Sequence, residues 1–411
     1  MNLKLLINII IISLICVKCT GQETKPTATN TVKIVVSEPS KELPIIVGAE
    51  RIDSYIKLLK DKKIGVVANH TSMIKDKHLV DLLIDAKIEI VKVFSPEHGF
   101  RGNADAGEKV NSSVDKKTGL PIISLYGKNK KPTVEQLNDL DVLIFDIQDV
   151  GARFYTYIST MHYVMEACAE NNKKLIILDR PNPNGHYVDG PILEDEFKSF
   201  VGMHPVPIVH GMTIGEYAKM INGEGWLTNQ NKCDLTIIET ENYNHNRYYQ
   251  LPIKPSPNLP NMSSIYLYPS LCLFEGTPIS VGRGTDFPFQ VLGHPKMDSD
   301  RFSFTPKSMD GAKSPKLKGE ICKGYNLSKF GNDYMKGKPM INLYWLIDIY
   351  KKYPEKKGFF TKMFQLLSGT DQLQQQIEAG KTEGQIYASW QAGLTNFKET
   401  RKKYLLYKDF E

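Results

Sequence analysis

Five short runs of apolar, largely β-branched residues recur through the first half of the chain, and each one ends at polar residues. They show no alternation with polar positions, which is typical of strands that are buried on both faces of a sheet. The runs cover residues 64–68, 88–94, 122–125, 142–145 and 175–178. We therefore predict five buried strands.

Segments with helical spacing separate these runs, at residues 78–84, 134–137 and 157–171. In the last of them the apolar side chains fall on one face, as an amphipathic helix requires; they are Tyr157, Met161, Val164, Met165 and Cys168. Alternation of strands and helices predicts a parallel sheet covered by helices, and hence an α/β fold.

The second half of the chain has a different character. A Pro- and Asn-rich stretch at residues 251–260 suits a domain crossing, and Gly-punctuated, charged turns follow at 273–277 and 280–286. Amphipathic helices are then predicted at residues 341–353, 359–367, 370–379 and 383–403. We predict an α/β domain over residues 44–245 and a smaller α+β C-terminal domain over residues 246–411.

The N-terminus has the pattern of a secretory signal over residues 1–21: Lys4, an apolar run to Cys16, and a short polar stretch. This segment has two alternative kinds of processing: cleavage after Gly21 by a signal peptidase, or lipidation of Cys16 or Cys19. The polar residues 22–43 predict a flexible tether. We expect an exported protein that is periplasmic or anchored in the outer membrane, and lipidation of the N-terminal cysteine would supply the membrane attachment.

Composition excludes several classes of partner and cofactor. The net charge of +6 is small against 52 basic and 46 acidic residues, and no basic stripe interleaves with aromatics, which argues against a nucleic-acid partner. Glycine-rich nucleotide-binding motifs and paired metal-ligand spacings are absent from the sequence, so we expect neither metal nor cofactor. The widely spaced cysteines 168, 233, 272 and 322 are expected to be buried free thiols, although export would also permit disulfides.

Polar residues follow the predicted strands at their carboxyl ends, which share one edge of a parallel sheet where ligands bind. We expect these residues to converge on one cleft, and this expectation is the main argument from the residues for an enzyme. They are His70, Glu97, Asp146, Gln148, Asp179 and Arg180. Glu97 lies in a turn between Pro96 and Gly99, and a partly apolar turn can raise the pKa of a carboxyl group.

Several separated segments resemble the exo-β-N-acetylmuramidases of the NamZ type. They are residues 95–102 (SPEHGFRG), 145–157 (FDIQDVGARFYTY), 179–183 (DRPNP), 275–277 (EGT) with 282–286 (GRGTD), and 376–380 (QIEAG). The resemblance runs from about residue 64 to residue 407. It implies a Rossmann-like domain with a smaller C-terminal domain. It also implies an exported bacterial hydrolase that removes β-linked N-acetylmuramic acid from the non-reducing end of peptidoglycan-derived saccharides.

Glycoside hydrolysis generally needs one carboxylic acid to protonate the leaving oxygen and a second group to supply or activate a nucleophile. We assign the acid to Glu97 and the second carboxylate to Asp146, with help from the substrate's acetamido group as an alternative. His98 either orients Glu97 or binds a sugar hydroxyl. Asp149 is interpreted as a helix cap, and Asp179 with Arg180 as an ion pair.

N-acetylmuramic acid carries a lactyl carboxylate, which the planar guanidinium of arginine recognises well. Arg153 and Arg283 are the candidates for this contact. Tyr155 and Tyr157 alternate, so one of them is expected to face the sugar. The other predicted substrate-binding residues are His70, His98, Arg101, Gln148 and Arg180. A non-catalytic envelope protein that binds muropeptides or other anionic sugars is the alternative function, because it would use the same cleft without an acid.

Overall fold

The computed structural model describes residues 42–97, 99–101, 113–298 and 302–411. The predicted signal, nearly all of the predicted tether and His98 lie outside the described residues. No helix in the described ranges is both long and apolar enough to cross a membrane.

Strands and helices alternate in the first half of the chain, and helices dominate the second. The strands are β1 (Ile64–Ala68), β2 (Met73–Ile74), β3 (Lys77–His78), β4 (Ile90–Ser95), β5 (Ser113–Val114), β6 (Pro121–Ser124), β7 (Val142–Asp146), β8 (Lys174–Leu178), β9 (Asp234–Ile238), β10 (Val291–His294), β11 (Ser303–Phe304) and β12 (Cys322–Asn326). The α-helices are α1 (Ile52–Leu59), α2 (Leu79–Asp85), α3 (Val134–Leu137), α4 (Tyr157–Glu170), α5 (Ile214–Gly223), α6 (Met262–Leu271), α7 (Tyr344–Lys352), α8 (Lys362–Ser368), α9 (Gln372–Glu378) and α10 (Glu383–Lys402).

The central sheet has the strand order β5-β6-β4-β1-β7-β8-β9. All neighbouring pairs are parallel except β5 with β6 at one edge. From β6 to β9 this is the doubly wound order of a Rossmann fold, in which the chain leaves β1 first on one side and then on the other. The predicted α/β fold is confirmed, and the five predicted strands are β1, β4, β6, β7 and β8.

Both faces of the sheet are covered, which explains the mostly apolar runs of the strands. Val67, Phe145 and Ile177 contribute to one hydrophobic cluster, which also contains side chains from α4, α5 and the C-terminal helices. Their chain neighbours Val66, Ile144 and Ile176 contribute to a second cluster with α1 and α2. Successive strand residues therefore point to opposite faces, and both faces are apolar.

The C-terminal part contributes an antiparallel sheet of order β10-β12-β11 and the helices α6 to α10. Helices α7 to α10 coincide with the four amphipathic segments predicted from the sequence, with starts that differ by at most three residues. Residues 44–411 form one compact unit, since the larger cluster draws side chains from both halves. The predicted division after residue 245 stays a prediction. The four cysteines beyond residue 41 are buried free thiols, as expected.

Candidate active site

A cavity of about 330 Å³ lies at the carboxyl edge of the sheet, between the first half of the chain and α6, α8 and the loops that follow α6. Its polar lining includes Glu97, Tyr126, Thr156, Ser256, Asn258, Glu275 and Arg283. Aromatic rings make up much of the remaining wall, from Tyr155, Tyr157, Tyr268 and Phe289. A concave, mostly apolar site with a few convergent polar groups is the usual form of a ligand pocket.

Glu97 reaches this cavity from the turn that ends β4. The amide of Gly99 donates to the carbonyl of Pro96 (3.2 Å), and Gly99 has φ of 77°, a conformation that favours glycine. Thr156 Oγ1 donates to Glu97 Oε2 (3.4 Å), and the Tyr126 hydroxyl is also hydrogen-bonded to the Glu97 carboxylate. Burial raises the pKa of Tyr126 to about 12, and the charge of Glu97 adds to the rise. The carboxyl group is therefore held by two hydroxyls, one from the residues just after β6 and one from the residue just before α4.

Glu275 and Arg283 line the same cavity as an ion pair. The Arg283 Nε atom lies 3.3 and 3.2 Å from the two Glu275 carboxylate oxygens, and Nη2 lies 3.1 Å from Oε2. The guanidinium carbon is 4.9 Å from the centre of the Phe289 ring. Arg283 was a candidate from the sequence, whereas Glu275 was assigned no role. Its position in a glycine-punctuated, charged turn is the same signal that identified Arg283.

Tyr155 and Tyr157 both line the cavity. Their ring centres are 4.9 Å apart and the rings are nearly perpendicular. The Tyr155 hydroxyl donates to the carbonyl of Pro255 (2.8 Å), and the Tyr157 hydroxyl accepts from Asn69 Nδ2 (2.9 Å). The expectation that only one of them faces the site was wrong because α4 begins at Tyr157, so the alternation of a strand does not apply there.

Asp146 does not line the cavity. It is the last residue of β7 and is fully buried, and its two carboxylate oxygens accept from Arg180 Nε (2.6 Å) and Nη2 (2.9 Å). Arg180 is also buried, and its Nη2 donates to the carbonyl of Met73 (3.3 Å). The structure therefore brings together Asp146 and Arg180, rather than Asp146 and Glu97, so the predicted pairing of Asp146 with Glu97 in one cleft is not what the geometry gives.

Arg153 also does not line the cavity, and its side chain is completely buried. Its Nη1 donates to the carbonyls of Pro191 (2.9 Å) and Val206 (2.6 Å), and its Nη2 to those of Leu367 (3.0 Å) and Ser368 (2.7 Å). Burial lowers the pKa of Arg153 to about 9. The side chain joins the first half of the chain to the end of α8, so of the two predicted arginines only Arg283 lines the cavity.

The other predicted site residues also have protein partners outside the cavity lining. His70 Nε2 lies 2.9 Å from the carbonyl of Lys254, and Gln148 Nε2 donates to the carbonyls of Asp149 and Pro181 (2.8 Å each). Arg101 forms ion pairs with Asp81 (3.2 Å) and Asp115 (2.8 Å). His98 lies outside the described residues, so its predicted role stays a prediction.

Asp179 is buried and accepts from the hydroxyls of Thr213 (2.7 Å) and Tyr407 (2.6 Å), not from the Arg180 guanidinium. The predicted ion pair between Asp179 and Arg180 is therefore replaced by the pair between Arg180 and Asp146. Of the six strand-end residues expected to converge, only Glu97 lines the cavity, and the other five are hydrogen-bonded to other protein groups.

A buried acid and a buried imidazole lie close together behind the cavity. Asp149 Oδ2 accepts from the amide of Gly151 (2.6 Å) and lies 3.9 Å from His210 Nε2. Burial raises the pKa of Asp149 to about 7 and lowers the pKa of His210 to about 3. The folded state therefore favours the neutral forms of both side chains.

We predict that Asp149→Asn will flatten the pH dependence of stability. Because the folded pKa of Asp149 lies above its unfolded value, this group stabilises the fold below about pH 4 and loses that contribution as pH rises towards 7. Asparagine does not titrate, so the unfolding free energy of the variant relative to the parent should rise between pH 4 and pH 8, by roughly 4 kcal/mol at most. Urea unfolding at several pH values measures the difference. The exposed Asp53→Asn is the control, and a variant-to-parent difference that stays constant with pH would refute the assignment.

Comparison with known proteins agrees with this architecture. Residues 64–263 match the family model of the N-terminal part of exo-β-N-acetylmuramidase NamZ, and residues 266–407 match its C-terminal part. The chain is 41% identical over 378 residues to the peptidoglycan β-N-acetylmuramidase NamZ of Bacillus subtilis (strain 168), covering 87% of this chain and 89% of that protein.

Crystal structures of two DUF1343 family proteins from Bacteroides fragilis NCTC 9343 are also similar. One (BF0379) has a TM-score of 0.84 at 51% identity, covering 89% of this chain and 100% of that one. The other (BF0371) has a TM-score of 0.76 at 31% identity, covering 89% and 99%. The matches of both parts of the chain, together with the identity to the B. subtilis protein, confirm the resemblance, and the chain belongs to the NamZ family of exo-β-N-acetylmuramidases.

Proposed function

We propose that this protein is an exo-acting glycoside hydrolase that releases terminal β-linked N-acetylmuramic acid from peptidoglycan fragments, with Glu97 as the general acid. The observation that carries the proposal is that Glu97 shares one cavity with the Glu275–Arg283 pair, so a proton donor and an anion-binding group face the same ligand. The name of the B. subtilis relative supports the choice of substrate.

The size of the cavity supports attack at a chain end. A volume of about 330 Å³ is at the lower end of the range of about 300–1,000 Å³ for ligand pockets, which suits a single terminal sugar better than a glycan chain passing through. The rings of Tyr155, Tyr157 and Tyr268 offer apolar surface to the C–H groups of that sugar.

Glu97 is suited to proton transfer because its position is fixed. The hydroxyls of Tyr126 and Thr156 hold its carboxyl group at the cavity wall, where it protonates the leaving glycosidic oxygen as the bond breaks. Glu275 supplies the second carboxylate of the cavity. We assign to it the role of second catalytic carboxylate, which the sequence analysis gave to Asp146.

Arg283 is the proposed partner of the lactyl carboxylate. Its contacts with Glu275 use Nε and Nη2, and a guanidinium carries five N–H donors. Arg101 shows within the same chain that one arginine can hold two carboxylates, because it pairs with Asp81 and Asp115 together. Arg283 can thus hold Glu275 and the substrate at once.

Arg283→Ala should weaken turnover of muramic substrates far more than turnover of N-acetylglucosamine analogues, which have no lactyl group. A charge-assisted hydrogen bond contributes roughly 1.5–3 kcal/mol, so we expect kcat/KM for the muramic substrate to fall about 10- to 150-fold. Arg283→Lys should restore only part of the loss, because an ammonium cannot form the two-pronged contact.

Arg51→Ala provides the matched control, because Arg51 pairs with Glu241 (2.8 Å) in a similarly half-exposed setting outside the cavity. It should change neither the activity nor the preference. Equal losses on both substrates in Arg283→Ala would remove Arg283 from the recognition role.

We also propose that the protein is exported, since its substrate lies in the cell envelope, and that it is periplasmic or held at the outer membrane. The N-terminal pattern of residues 1–21 supports export. Mass spectrometry of the mature N-terminus distinguishes a lipidated cysteine from a chain that begins at Gln22, and an unprocessed Met1 would contradict export.

The direct test of the proposed activity is incubation with a chromogenic β-N-acetylmuraminide. Turnover at a rate that depends on enzyme concentration supports the hydrolase. Binding of the compound without turnover, measured by calorimetry, supports the alternative of a non-catalytic muropeptide-binding protein. The corresponding β-N-acetylglucosaminide is the control substrate, and it should be cleaved much more slowly.

A further inference from the structure

The ammonium group of Lys316 lies among four backbone carbonyl oxygens on the far side of the Glu275 turn. Its Nζ atom is 3.4 Å from the oxygens of Phe274 and Glu275, 2.5 Å from that of Thr277 and 3.3 Å from that of Ile279. Lys316 is exposed as a residue, whereas desolvation of its ammonium group lowers the pKa of Lys316. The side chain therefore enters the turn from the surface and ends inside it.

These carbonyls belong to the end of a short 3₁₀ helix, Cys272–Gly276, and to the residues after it. Carbonyls at the end of a helix have no partner within the helix, and a cation is favourable there. Glu275 lies within this helix, and the chain then leads directly to Arg283. The four carbonyls thus lie along the stretch of backbone that carries Glu275 and leads to Arg283, and that of Phe274 also accepts from the amide (3.0 Å) and hydroxyl (2.9 Å) of Thr277.

The loop that carries Lys316 also contacts the cavity wall at two other positions, Gly284 and Asn258. The amide of Lys307 donates to the carbonyl of Gly284 (2.8 Å), and Asn258 Nδ2 donates to the carbonyl of Gly311 (2.8 Å). A Cβ on Gly284 would lie 2.5 Å from the carbonyl oxygen of Lys307, so the two segments are in close contact. Arg283 and Asn258, which both face the cavity, are therefore supported from behind by one loop.

We propose that Lys316 is a positioning residue for the cavity: its ammonium occupies a carbonyl cage and thereby fixes the turn that presents Glu275 and Arg283 to the substrate. This inference rests on the proposed function for its effect on catalysis. The cage itself is a property of the backbone, so a cation other than the lysine side chain should be able to fill it.

Lys316→Ala should lower kcat/KM for the muraminide, because displacement of a binding group by about 1 Å can cost as much as 100-fold; we expect a loss of about 10- to 100-fold. Preference for the muraminide over the glucosaminide should fall with it, since Arg283 is the group displaced. The control is Lys318→Ala, a nearby exposed lysine outside the cage, which should behave as the parent.

Small amines should restore the activity of Lys316→Ala. Ammonium or methylammonium can enter the truncated site and donate to carbonyls of the cage, so turnover should rise with amine concentration and saturate. The parent and Lys318→Ala should not respond. Tetramethylammonium at the same ionic strength has no N–H donor and should have no effect. Parent-like activity of Lys316→Ala, or a loss that no amine restores, would overturn the inference.

Hydrogen exchange of the backbone amides between residues 274 and 285 gives a readout that does not need turnover. Exchange should be faster in Lys316→Ala than in the parent, and methylammonium should slow it again. If the parent does not hydrolyse the muraminide, the proposed function fails, while this exchange still decides whether Lys316 orders the turn. Unchanged exchange in the variant would contradict the role of Lys316 even in an active enzyme.

Discussion

Glu97→Gln is expected to lower kcat on a natural muramic disaccharide by about 10²–10⁴-fold, which is the usual contribution of a general acid. Glutamine keeps the size of the side chain and can still accept a hydrogen bond from Thr156, but it has no acidic proton to give to the leaving oxygen. An activated aryl leaving group needs less protonation, so the loss on an aryl muraminide should be smaller. The difference between the two substrates is the signature of proton donation.

The exposed Glu196→Gln is the matched control for this substitution, because it removes the same charge away from the cavity. Unfolding in urea checks that the fold of Glu97→Gln is intact. If this variant hydrolyses the natural disaccharide at the parent rate, Glu97 is not the acid.

Arg180→Met is expected to destabilise the protein by about 3–5 kcal/mol, because it leaves the fully buried Asp146 carboxylate without its cation. Methionine fills much of the space but cannot donate to the two carboxylate oxygens or to the carbonyl of Met73. The free energy of unfolding in urea or guanidinium measures the effect.

A double variant distinguishes the effect of losing the ionic partner of Asp146 from the effect of changing the shape of the Arg180 side chain. Asp146→Leu combined with Arg180→Met removes both charges, and replacing a buried ion pair by apolar groups of similar volume is often neutral or stabilising. The double variant should therefore recover most of the stability lost in Arg180→Met, and it should keep activity because neither side chain lines the cavity. A double variant that is stable but inactive would return Asp146 to the catalytic role that its position in the sequence suggested.

The buried strands were predictable because apolar runs covered on both faces leave a clear pattern, and strands β1, β4, β6, β7 and β8 confirm it. Strand β9 lacked that signal, because it lies at the sheet edge and Ile238 is its only buried residue. Helix α6 was missed for the opposite reason: apart from its first residue it is buried all round, so it has no polar face, and it contains Pro269.

The position of a residue at a strand end predicts the edge of the sheet but not the partner of its side chain. Glu97 and Asp146 both lie at the carboxyl ends of parallel strands, yet Asp146 meets Arg180, which follows the neighbouring strand β8 and lies 34 residues further along the chain. Arg153 and Arg283 both lie in glycine-containing segments that made them candidates for substrate binding. In the structure, Arg153 donates to carbonyls up to 215 residues away in the sequence, whereas Arg283 pairs with Glu275, 8 residues away. Such distant contacts depend on the packing of the whole chain.

The most direct test of the proposed activity is product analysis on two defined glycan chains that differ only at the non-reducing end. One begins with β-linked N-acetylmuramic acid and the other with N-acetylglucosamine. The parent enzyme should release free N-acetylmuramic acid from the first chain, one residue at the end, and should leave the second chain intact. Release of internal fragments, or equal cleavage of both chains, would contradict an exo-acting muramidase with Glu97 and Arg283 in one terminal cavity.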